Sequence, residues 1–189
     1  MKMQYKEFQM KKRTYVQILY LLSLIVLLSA GLVIINVPDK NLITYANYLG
    51  FSMLYAGITN LFVYYKQHKR IHGSHWILAD GLSTTCLSFF PLFNQMILPS
   101  VIPFFFGIWE LFSGILKFIE STELQEEHIK GWEQFLIIGT FELVSGIMSM
   151  IKPIDDFVGM NHVIAIIFFV QSIGFLFKIF IYPHLVDRK

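Results

Sequence analysis

Three features of the sequence predict an all-α integral membrane fold of six transmembrane helices arranged as three helical-hairpin repeats. Of 189 residues, 55% are apolar and only 15% charged, giving a mean hydropathy of +0.58. A soluble domain cannot hide that much apolar surface, so the natural solvent of the chain is a bilayer. The apolar residues also fall into six runs, each near the roughly 20 residues that a spanning helix needs. Finally, small residues seven apart recur along those runs at a period near 57.

The elements follow in order. Residues 1–14 are polar and basic and read as a cytoplasmic segment. Helix 1, over 15–37, is longer than the apolar part of a signal peptide and lacks its small-x-small cleavage site, which makes it a retained anchor. It ends in Val37-Pro38-Asp39-Lys40-Asn41, a turn signal. Helix 2 covers 42–65. Helix 3, over 76–93, is short and includes Asp80, Thr84 and Thr85. Helices 4, 5 and 6 cover 98–119, 132–151 and 157–182, and 183–189 is a cytoplasmic tail. The membrane domain is therefore 15–182, with hairpins over 15–65, 76–119 and 132–182. A soluble bundle would show a polar face on each helix, and these runs have almost none.

Basic residues set the orientation. With the N-terminus inside, all 15 lysines and arginines except Lys40 and Lys152 lie in or beside the inner segments. Both termini are expected in the cytoplasm. Lys117 and Lys178 fall near the inner ends of helices 4 and 6, where a long stem can carry the ammonium to the interface.

The repeat organises the chain. Gly31, Ser88 and Gly146 are 57 and 58 residues apart, on helices 1, 3 and 5. Gly57, Gly114 and Gly174 are 57 and 60 apart, on helices 2, 4 and 6. The positions seven earlier are Leu24, Gly81 and Gly139 in one set and Gly50, Gly107 and Ile167 in the other. Residues seven apart differ by about 20° around a helix, so each pair shares a face and lets a second backbone come close. Two of the legs are near copies: Gly107-Ile-Trp-Glu-Leu-Phe-Ser-Gly-Ile115 and Gly139-Thr-Phe-Glu-Leu-Val-Ser-Gly-Ile147. Hairpins 1 and 3 turn on Pro38-Asp39 and Pro153-Ile-Asp-Asp156, while Pro91 is out of register.

Trp76 with Gly81, and Gly131-Trp132 with Gly139, Gly146 and Pro153, make a Trp-led hairpin of small-residue heptads. This pattern resembles the HdeD-like membrane protein family, built from a short repeat of unknown function, over about 15–182. Hairpin 1 departs from it in lacking the leading tryptophan and a buried acid. The resemblance implies a bacterial plasma-membrane protein with a role in acid or general stress.

Glu110 and Glu142 are the leading candidates for chemistry. An ionisable group at mid-bilayer is expensive and points into protein or a wet cavity. The two acids sit at similar depth on consecutive antiparallel helices. If they face each other they would share one proton, which suits a relay or a pH sensor. The alternative is a protonated glutamic acid that only bonds a neighbouring helix, through Ser113 or Ser145. Gln171, central in helix 6, could bond either acid. Asp80 is read as a first-turn acid favoured by the helix dipole. His68, His72 and His75 share a helical spacing without an accompanying carboxylate or thiol and read as a solvated loop. Glu120, Glu123, Glu126 and Glu127 read as a solvated extension of helix 4.

The remaining motifs are negative. Cys86 is the only cysteine, so there is no intrachain disulfide and no zinc site. There is no Ser-His-Asp order, phosphate loop or HExxH, and no basic stripe for nucleic acid. The expectation is a protein that is not an enzyme, has no cofactor or metal, and partners the lipid bilayer, with glycine faces free for a homo-oligomer. A small-solute or proton-linked transporter or channel is the alternative, since transporters bind at midplane repeat interfaces. A scaffold subunit is a third reading.

Overall fold

The computed structural model describes residues 2–36, 42–68, 71, 74–93, 101–151 and 159–186, with side chains from Thr14 onward except at 42–43 and 182–186. The predicted turns at Pro38-Asp39 and 153–156, with Lys40, Lys152, Pro99 and His72, lie outside the described residues.

The described chain is six helices: α1 (Lys2–Ile34), α2 (Leu42–Gln67), α3 (Ser74–Phe93), α4 (Val101–Glu126), α5 (Trp132–Met150) and α6 (Met160–Val186). Four are long and apolar enough to cross a bilayer: α1 over Thr14–Ile34, α3, α4, and α6 over Met160–Ile181. α2 is made more polar by its tyrosines, Thr59 and Asn60, and α5 by Glu133, Gln134 and Glu142. Five boundaries move outward from those expected: the end of α2 by two residues, the start of α3 by two, the end of α6 by four into the expected tail, and the start of α1 and the end of α4 by more. α1 starts at Lys2, ahead of its apolar run, and α4 continues to Glu126, through the first three acids of the run at its end. The turn from α4 to α5 closes on Gly131 at φ +102°, a left-handed conformation that glycine adopts without a Cβ clash.

The closest helix pairs are offset from the predicted hairpins. The most extensive interfaces join α4 to α5, α2 to α3, and α1 to α6, so the tightest packing runs between neighbouring repeats. The glycine heptads explain this. A Cβ built at Gly107 would stand 2.9 Å from the Gly146 carbonyl oxygen, and one at Gly146 2.9 Å from that of Gly107. Gly114 and Gly139 repeat this contact at 2.9 and 3.0 Å. Gly57 and Gly81 meet likewise across α2 and α3: a Cβ at Gly57 would lie 2.7 Å from the Thr85 backbone nitrogen and one at Gly81 2.9 Å from that of Leu61. Gly50 faces Pro91 and Leu92, and Gly31 faces the Phe169 ring and the Ala165 carbonyl. α2 and α4 thus lay their heptads on the next odd-numbered helix, and α6 closes on α1 through Phe169 and Ala165. Gly174 differs, because its nearest neighbours are the side chains of Glu142 and Lys117, both at 3.4 Å.

The surface is inverted relative to a soluble protein. Leu21, Ile25, Phe51, Ile58, Leu82, Phe112, Phe141, Ile147, Ile173 and Phe180 point outward, while Asp80, Glu110, Lys117, Glu142 and Lys178 are buried. Apolar side chains facing outward from all six helices imply contact with a lipid bilayer.

The glycine contacts set a stability order. Gly114→Ala and Gly146→Ala place a methyl against backbone and are expected to cost about 1–3 kcal/mol. Gly174→Ala makes only ordinary van der Waals contact and should melt near wild type. Thermal melts in detergent check this, and equal melting of all three variants would show that the α4–α5 contact is looser than described.

Candidate functional site

α4 carries the site. Glu110, Ser113, Lys117 and Glu120 follow one another at spacings of three or four, which places them on one helical face, and all four are buried. A polar stripe on a membrane helix must find its partners on other helices, because lipid offers none. The Lys117 Nζ lies 2.5 Å from Glu142 Oε1 on α5 and donates to Ser113 Oγ at 2.7 Å. The Lys117 stem runs through a slot left by two glycines. A Cβ at Gly139 would stand 3.2 Å from Lys117 Cβ, and one at Gly174 3.4 Å from its Cε.

Ser113 passes the chain on to α3, donating to Asp80 Oδ1 at 3.3 Å. Asp80 Oδ2 accepts from Lys178 Nζ of α6 at 2.8 Å and from Asn60 Nδ2 of α2 at 2.9 Å. Lys178 also donates to Asn60 Oδ1 at 3.3 Å and stands 4.9 Å over the Phe175 ring. Glu110 has a separate set of partners: Ser145 Oγ donates to its Oε1 at 3.1 Å and Gln171 Nε2 to its Oε2 at 2.9 Å. Ser145 also reaches the Glu142 carbonyl oxygen at 3.2 Å, which joins the two halves of the chain. Glu142 Oε2 is buried without a hydrogen-bond partner among the described residues.

At the α4 C-terminal end the stripe comes to the surface. Glu120 is 4% exposed and within electrostatic range of Lys178, Asp80, Lys117 and Glu123. Glu123 accepts from the Trp76 indole and pairs with His75 Nε2 at 3.1 Å. Beyond Glu110, towards the other end, the interior is aromatic. Trp109, Phe106 and Phe168 pack edge to face with ring centroids 5.5–6.3 Å apart, and the Trp109 indole bonds Thr84 Oγ1 at 3.0 Å.

Several expectations change. Gln171 does bond Glu110 across helices, but the two glutamates take different partners and are linked through Ser145. Ser113 serves Asp80 and Lys117 and neither glutamate. Asp80 is not a first-turn acid: it is the seventh residue of α3, buried, and held by Lys178. Lys117 and Lys178 do not reach an interface, being 3% and 6% exposed, because carboxylates within their reach compensate the ammonium groups. Glu120 is buried where a solvated run was expected, since it continues the stripe of Lys117, whereas Glu126 and Glu127 are exposed. Of the histidines, His75 pairs with Glu123 and His68 stacks near Tyr64.

The lysines could have been found from the repeat. Asn60 follows Gly57 by three residues and Lys117 follows Gly114 by three, while Lys178 follows Gly174 by four. The second heptad residue of each even helix therefore announces a polar side chain one turn on, and all three converge in the interior.

Two stretches, 22–93 and 81–151, match the short repeat of unknown function DUF308. The chain belongs to this family. The two DUF308 matches overlap over 81–93 in α3, the helix that supplies Asp80, and together they take in every polar residue of the site except Gln171 and Lys178 of α6. No curated protein and no solved structure matches the chain. The structure is thus that of a DUF308 membrane protein whose polar core is drawn from five of its six helices.

Removing one member of a buried pair strands the other charge. Lys117→Met is expected to cost about 3–5 kcal/mol, and Lys117→Met with Glu142→Gln to recover most of it. Lys178→Met and its combination with Asp80→Asn should behave alike. Unfolding in mixed micelles measures this, and wild-type stability in either single variant would mean that the pair is not sealed from water.

Proposed function

We propose that this protein is a six-span membrane protein of the HdeD-like type, acting in acid or general stress, whose buried polar chain takes up and releases protons. One observation carries the reading. Among the described buried groups, the carboxyls of Asp80, Glu110, Glu120 and Glu142 outnumber the cations Lys117 and Lys178. Asp80 and Glu142 are each in contact with a lysine, whereas Glu110 is met by neutral donors only. A low-dielectric interior does not tolerate unbalanced charge, so the count of protons held there is the quantity that external pH can change. No substrate or covalent step is needed for this role, and the protein is read as a non-enzyme without a cofactor.

The finer architecture belongs to the same proposal. α5 contacts α4 at two glycine levels seven residues apart, and α2 contacts α3 at the Gly57–Gly81 level and through Gly50 against Pro91 and Leu92, which supports all six helices crossing together. On this view the three 57-residue hairpins are the sequence repeat, and both termini face the cytoplasm of a bacterial cell. Reporters test the orientation: one active only in the cytoplasm should work after Lys189 and fail at Asp39-Lys40. Activity at the second position would reverse it.

The second reading is a small-solute or proton-linked transporter or channel, favoured by polar groups gathered near mid-helix at a repeat interface. The proton-linked role itself is tested by Glu110→Gln and Glu142→Gln, which keep hydrogen-bonding capacity and remove the titratable group. Glu110→Gln should reach the membrane at wild-type level and lower survival after acid shock, whereas Glu142→Gln, which strands the Lys117 ammonium, is read together with Lys117→Met at matched membrane level. Full survival with both changed together would leave the two acids as structural groups only.

A further inference from the structure

We infer that the buried carboxyls exchange protons with one side of the membrane only, through the end of the bundle where Glu123, His75 and Trp76 lie. The inference rests on the proton-linked reading and adds its sidedness. The titratable groups facing Glu110 and Glu142 are Asp80 from α3, Lys117 and Glu120 from α4, and Lys178 from α6; α2 adds the neutral Asn60. All of them lie at the level of the glutamates or towards the Glu123 end.

The path is a series of short steps. Glu123 is 30% exposed at its side chain and His75 57%, so water reaches both. Glu120 is one turn further in on α4, and Lys117 one turn beyond that. Lys117 touches Ser113 and the Glu142 carboxyl, and that carboxyl lies within electrostatic range of Glu110. The Ser145 hydroxyl stands between two acceptors, the Glu110 carboxylate and the Glu142 carbonyl oxygen. Turning it from the first to the second would let its oxygen accept a hydrogen bond from the O–H of a protonated Glu110 without moving a helix.

Among the described residues, the interior of the other half offers hydroxyls and no buried acid or base. Thr84 bonds the Trp109 indole, Ser88 the Thr85 carbonyl and Ser52 the Tyr48 carbonyl, and His162, bonded to Asn161, is exposed at the far end. Phe106 and Phe168 are fully buried one turn beyond Glu110 and Gln171, and Ile34, Leu49, Met53, Ile102 and Ile164 complete an apolar layer. Among the described buried residues no titratable side chain lies in that layer. The polar groups near its rim have partners already: Ser149 bonds the Pro103 carbonyl and Asn161 the Ile35 carbonyl. A proton that reaches Glu110 must leave by the way it came, which suits a sensor or a buffer and not a conduit.

The full chain in liposomes, sorted by access of a protease to a tag after Lys189, gives the test. Each population receives an external pH jump while the carboxyl C=O infrared band is followed, and the Glu110→Gln variant assigns the band. The band is expected to respond promptly only where the Glu123 end faces the jump, and Glu120→Gln should slow that response. A pH-sensitive dye inside the vesicles should show no more proton passage than in protein-free liposomes. A band that answers equally from both faces, or proton passage through the wild-type protein, would overturn the one-sided path and leave the proton-linked reading standing. A carboxyl band that answers from neither face would defeat that reading and the path with it.

Discussion

Charge sealed inside an apolar solvent must be matched within the length of a side chain, and the pairing of Lys117 with Glu142 and of Lys178 with Asp80 meets this condition. Neither pair is expected to add much net stability, because desolvation offsets most of the attraction. Their effect is on specificity. A helix that slipped by one turn would separate an ammonium from its carboxylate in a medium that solvates neither. The pairs therefore fix the register of α3, α4, α5 and α6 relative to one another, and Asn60 extends the constraint to α2.

The glycines make that pairing geometrically available. Without a hydrophobic driving force between helices, close association depends on packing. The contacts of Gly107 with Gly146 and of Gly114 with Gly139 bring α4 and α5 to backbone contact, and the same residues that permit approach leave a slot for the Lys117 stem. Gly139 serves on both counts, and Gly174 on the second alone. A single device thus sets both the helix spacing and the position of a charge. In this chain the even-numbered helices supply the polar residue one turn past the second heptad position.

The heptads differ most in the residues that line the polar interior. At the position three past the second small residue, the chain places Asn60 on α2 and Lys117 on α4, with Lys178 one residue later on α6. On the facing helices, three residues past the first heptad position, α5 has Glu142, α3 has Thr84 and α1 has Leu27. A recurring heptad pattern therefore encloses an asymmetric interior. α1 contributes chiefly apolar surface, with Ser23 bonding Thr59 at 2.9 Å as a small polar tie to α2.

The apolar runs, the 57-residue period and the heptad glycines were legible in the sequence because they are local or strictly periodic. So was the cost of placing Glu110 and Glu142 in a membrane helix, and so was the capacity of Gln171 to bond one of them. What lies near Asp80, Lys117, Lys178 and Glu120 was not, because a charge near a helix end can face water or protein with equal ease on sequence grounds. The decision belongs to residues far away in the chain: Lys178 finds Asp80 across 98 positions, and Lys117 finds Glu142 across 25. Sequence patterning by itself determined which faces would meet, since small residues at a fixed period admit a backbone wherever they occur. Only the tertiary structure decided which helix each face would choose and which charges it would trap there, because an ion pair exists only once both partners have been brought within reach.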